Sequence, residues 1–76
     1  MIGEDMAEKL KYADFTGHAQ PCRIKTGWEG AGRRGLYLGK VFLLQWWAIV
    51  VWDDEEDPEM FKVAGIEIQG HSWESI

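Results

Sequence analysis

The chain has 76 residues, a net charge of −5 and a single cysteine among five tryptophans, which leaves room for one domain, 1–76, and none for an internal disulfide. So short a domain buries only about 60% of the surface its unfolded chain exposes, and it needs a dense aromatic core, a partner subunit, or both. Cys22, His18 and His71 lack metal-ligand spacing, the run Trp46 to Trp52 is far below a span of ~20 residues, and "MIGEDMAEKLK" has no apolar signal core. The expectation is a cytoplasmic protein with no metal, no cofactor and no membrane partner.

In chain order, "GEDMAEKLKYA" spaces Ile2, Met6 and Leu10 four apart, predicting a short amphipathic helix within 1–13 that must dock on something to persist. "TGHAQP" breaks that pattern. In "CRIKT", Cys22, Ile24 and Thr26 alternate with Arg23 and Lys25, the signature of a half-buried strand. "GWEGAGRRG" follows, and its Gly30–Gly35 segment satisfies G-x-G-x-x-G letter for letter. A dinucleotide fingerprint needs those glycines to turn a strand into a helix aimed at a pyrophosphate. "LYLGKVFLL" comes next and has no helical apolar stripe, so the stretch reads as a loop, with Arg33 and Arg34 solvated or cradling an anion.

"LYLGKVFLL" and "WWAIVVW" are predicted strands, joined near Gln45 without a strong turn pair. "DDEEDPE" is an acidic loop that lacks the alternating ligands and central glycine of a calcium loop. "MFKV" is a short strand, "AG" a corner, "IEI" a last strand with Ile66 and Ile68 inward, and 70–76 a tail pinned by Trp73. The expected fold is mainly β: a small five-stranded antiparallel barrel over 20–69, preceded by the helix.

The strand "QWWAIVVW" is apolar on both faces. Trp47, Ile49 and Val51 are assigned to the core, leaving Trp46, Ala48, Val50 and Trp52 on a second face. Either the helix or the tail covers that face, or a homodimer pairs Trp46, Val50 and Trp52 across a two-fold axis.

Charge is uneven: −2 over 1–14, +4 over 15–45 and −7 over 46–76. The basic section offers Arg23, Lys25, Arg33, Arg34 and Lys40, with Trp28 to stack on a base, as an alternative nucleic-acid or anion surface. No nucleophile–base constellation stands out, so no catalytic residue is assigned and an enzyme is not expected.

From Gly35 onward the layout resembles small SH3-like barrels of the Tudor and KOW kind. Gly39 precedes a long strand, Trp47 to Trp52 ends in the acidic turn Asp53–Asp54, and Phe61 to Val63, Ala64–Gly65 and Ile66 to Ile68 form a short strand, a corner and a final strand. In size and style the chain also resembles uncharacterised orphan proteins of phages and mobile integron gene cassettes. Trp46–Trp47 is similar to the tryptophan pair of peptide-binding SH3 domains, but their Ala-Leu-Tyr-Asp-Tyr stretch is missing and the acids follow the tryptophans. The Val-Gln-Ile-Tyr run of the SH3-like trimethoprim-resistant dihydrofolate reductase is absent too. The resemblance implies a non-enzymatic binding module whose partner is an unidentified protein, with nucleic acid the alternative.

Overall fold

The computed structural model describes Glu8 and residues 10–76. The described residues form six strands: β1 (Asp14–Ile24), β2 (Arg34–Leu43), β3 (Gln45–Trp52), β4 (Glu59–Lys62), β5 (Ile66–Gln69) and β6 (Trp73–Ser75). A single 3₁₀ turn, Val63–Gly65, links β4 to β5. All pairings are antiparallel, in the order β4-β3-β2-β1-β5-β6, and the sheet curls into a half-barrel.

Three expectations need correction. The strands number six rather than five, because residues 73–75 of the expected tail pair with β5 through Glu67↔Ser75, Ile68↔Glu74 and Gln69↔Trp73. The sheet is curled but open, with β4 and β6 at its edges. The N-terminal helix is not supported. Most of the expected helix, residues 1–7 and 9, lies outside the described residues; Glu8 and Leu10 have helical backbone, and the chain turns directly after them, with the Lys11 N–H 3.3 Å from the Glu8 carbonyl and the Ala13 N–H 3.1 Å from that of Leu10.

"TGHAQP" does not interrupt the structure either; it lies inside β1. The β1–β2 register slips between Phe15 and Gln20, and the Thr16 hydroxyl stitches the bulge, 2.7 Å from the His18 carbonyl and 3.2 Å from that of Leu38. Gly39 permits the close approach that follows, since a Cβ there would stand 2.4 Å from the Asp14 carbonyl oxygen. Pairing with β5 runs only from Ile24↔Ile66 to Cys22↔Ile68. It stops before Pro21, which has no N–H to donate.

The core lies on the concave face. Cys22, Ile24, Tyr37, Ala48, Val50, Trp52 and Ile66 are buried there, with Trp28, Phe61, Val63, Ile68 and Ile76 packed around them. One cross-strand row, Ile68–Cys22–Gly35–Trp52, fixes the sides. Residues directly opposite share a face, so Trp52 must lie on the side of Cys22. The expected division of β3 is therefore reversed: Ala48, Val50 and Trp52 supply the main core, while Trp47 and Val51 are half-buried on the other face. Ile49 is buried there together with Val41 of β2. Gly35 makes the row possible, because a Cβ would meet the Val51 oxygen at 2.5 Å. Burial pushes the Cys22 thiol up to about 11, so it stays protonated at neutral pH and packs as a small apolar group.

Candidate functional site

The glycine-rich stretch is a loop. Gly27, Gly30 and Gly32 adopt φ of 93°, 80° and 88°, left-handed values that favour glycine. The N–H groups of Ala31, Gly32 and Arg33 donate to the carbonyls of Trp28, Ile24 and Gly30, each at 3.0 Å. Those amides are spent within the protein rather than turned towards a phosphate.

The basic residues do not form one track. Arg33 turns to the acidic loop, where its Nη2 lies 3.0 Å from both Asp54 and Glu55 carboxylates and its guanidinium sits 4.7 Å from the centre of the Trp52 ring. Arg23 bonds Glu67 at 2.5 Å and stacks 4.0 Å from the Trp73 ring centre, with Arg34 5.7 Å from the same ring. Lys25 donates to the Ser75 hydroxyl at 2.7 Å. Lys40 lies far along β2, 4.7 Å above the Trp46 ring. Trp28 is half-buried against Phe61, with ring centres 5.9 Å apart.

Opposing carboxylate shifts hold the acidic loop. The bond from Arg33 lowers the Asp54 pKa. Glu59 shifts upward, chiefly through its hydrogen bond with the Glu55 carboxyl and then through desolvation, although it also accepts the Trp52 indole N–H at 2.9 Å. A folded-state pKa above the unfolded one favours folding at low pH, and that contribution disappears as pH rises through the folded value. Asp54 has the opposite sign and loses its contribution as pH falls. Glu59→Gln keeps an acceptor for Trp52 and removes the repulsion. It should therefore raise Tm at neutral pH, with the gain shrinking towards the acidic pH at which wild-type Glu59 is protonated. Thermal melts of both proteins across that range provide the check, and a lower variant Tm at neutral pH would show that the charge-assisted bond to Trp52 outweighs the repulsion.

The expected self-association patch of Trp46, Val50 and Trp52 does not survive as a unit. Val50 and Trp52 are 0% and 1% exposed and belong to the core, so only Trp46 remains available. The physical reason is length: β3 continues past the end of the core, and its hairpin with β2 projects beyond it. At that end Phe42, Leu44 and Trp46 are 57%, 101% and 45% exposed. The Phe42 and Trp46 rings pack edge to face at 5.3 Å. Leu44 forms the tip between the paired Leu43 and Gln45, with φ of 67°, a left-handed conformation that a branched apolar residue rarely adopts.

The opposite face of the same hairpin is apolar as well. Leu43, Leu44, Trp47 and Met60 line one hollow there, and Trp28, Glu29, Trp47, Met60, Phe61 and Lys62 line a second that wraps round the β4 edge towards the core side. Trp47 and Met60 belong to both, making one groove along the free edge strand β4. The Trp47 indole N–H donates to the Leu43 carbonyl at 3.1 Å, which fixes the ring as the groove wall. The sequence reading missed Phe42, Leu43, Leu44 and Met60. The available signal was "FLLQWW", six residues with one polar member at a strand junction.

Such a surface can exclude water from an apolar partner but offers little to hold a reacting group. Among the described residues no three His, Cys, Asp or Glu side chains converge as a metal site requires, and no helix is long and apolar enough to cross a membrane. No family model, curated protein or solved structure matches the chain.

Proposed function

We propose that this chain is a non-enzymatic protein-binding module whose contact surface is the projecting β2–β3 hairpin. The observation that carries this reading is the exposure of Phe42, Leu44 and Trp46 at one end of the sheet, beside the groove walled by Trp47 and Met60. The largest contiguous apolar patch on a small domain is often functional, and aromatic residues dominate the energetics of such contacts. An SH3-like layout for the scaffold is supported by the strand order and by the 3₁₀ corner between β4 and the final barrel strand β5. The nucleic-acid alternative draws less support, because its six residues are dispersed and Arg23 and Arg33 are paired with carboxylates.

A photo-crosslinking residue at position 44 tests the proposal in living cells, with position 56 in the acidic loop as the control. Position 44 should give a discrete protein adduct, to this chain or to another, that position 56 does not. Equal adducts from both positions, or none from position 44, would contradict the reading.

A further inference from the structure

We infer that the partner on this surface is a second copy of this chain, with the Leu44 tip of each hairpin entering the groove of the other. The inference rests on the binding-surface reading above and adds the partner to it.

Three observations favour a copy of the chain itself. First, the surface is self-complementary. Leu44 is fully exposed, and it forms one wall of a hollow completed by Leu43, Trp47 and Met60. A two-fold axis near the tips would seat both leucines in both hollows at once, an isologous contact that closes without further growth. Second, the charge distribution permits the approach at this end. Each molecule carries a net charge of −5, and "DDEED" follows the far end of β3. Eight residues at about 3.3 Å each set those acids about 26 Å from the hairpin, so two copies meeting tip to tip keep them apart. Third, the left-handed backbone at Leu44 is a local cost that Asn or Gly would remove; burial of the leucine in a partner offsets it.

The exposed residues and the groove wall offer on the order of 600 Å² per copy, the low end for a specific interface. An interface of that size suits a weak, transient dimer, whose dissociation constant is expected in the micromolar range.

Sedimentation velocity from about 5 to about 500 μM brackets that constant and tests the inference on wild type, Leu44→Asn and Leu36→Asp. Wild type should shift from monomer to dimer across the range. Leu44→Asn should stay monomeric throughout, and its Tm at low concentration should be no lower than wild type because asparagine tolerates the left-handed conformation; a folded variant is thereby assured. Leu36→Asp alters an exposed leucine on β2 away from the tip and should dimerise like wild type. A wild type that remains monomeric, an unchanged dimer in Leu44→Asn, or loss of the dimer in Leu36→Asp would each overturn the inference. A monomeric wild type that still forms a position-44 adduct with a different protein would remove the second copy and leave the binding-module reading standing.

Discussion

Trp52→Ala is expected to remove about half of the chain's stability, whereas Trp46→Ala on the same strand is expected to be nearly silent. Trp52 is 1% exposed, packs edge to face on Phe61 at 5.9 Å, carries the Arg33 guanidinium over its ring and donates its indole N–H to Glu59. Truncating a buried tryptophan to alanine costs about 3–5 kcal/mol, and a domain of this length has only about 4–11 kcal/mol in total. Trp46 is half-exposed beyond the core, where truncation costs under about 1 kcal/mol. Urea titrations followed by far-ultraviolet circular dichroism separate the two. Equal midpoints would mean that β3 does not divide its tryptophans in this way.

Gly39→Ala should have the second-largest effect. The added methyl would stand 2.4 Å from the Asp14 carbonyl oxygen and 2.7 Å from the Phe15 Cα. Both obstacles are backbone, so β1 and β2 must separate where the bulge draws them together. Overpacking of this kind costs about 3 kcal/mol, which lowers Tm by about 12–24 °C in a domain of this size. Gly30→Ala is the contrast: its Cβ would meet only the flexible end of Ile24, at 3.2 Å, although the backbone has φ of 80°. That change should cost about 1 kcal/mol. Calorimetric melts of the two variants would contradict the close crossing at Gly39 if the order were reversed.

The antiparallel meander was legible because its signals are local. Cys22, Arg23 and Ile24 of "CRIKT" alternate at the end of β1, although Lys25 and an exposed Thr26 lie beyond it, "DDEED" ends β3, and "AG" falls in the 3₁₀ corner between β4 and β5. The facing of β3 was not legible, because a strand apolar at seven of eight positions carries no alternation to read. Its side was set by long-range register through Gly35 and Cys22. The bulge in β1 and the register shift between Tyr37 and Gly39 leave no trace in composition. Residues 16–21 looked like a break because Gly17 and Pro21 are poor strand formers, yet neither must donate to β5, whose ladder ends at Cys22. The candidate surface was half legible: Trp46 was named, but its supposed companions Val50 and Trp52 belong to the core. Its true companions come from the other side of a junction whose turn at Leu44 has no glycine or asparagine to announce it.

The most direct test of the hairpin as the contact surface is a series of amide-resolved NMR spectra recorded from dilute to concentrated protein. Concentration-dependent shifts are expected at residues 42–47 and 60–62, around Phe42, Leu44, Trp46 and the groove walled by Trp47 and Met60, with the acidic loop 53–57 unmoved. Shifts confined instead to the exposed start of β1 or to the Arg23–Trp73 face, or spectra that do not change with concentration, would contradict a self-contact through the hairpin.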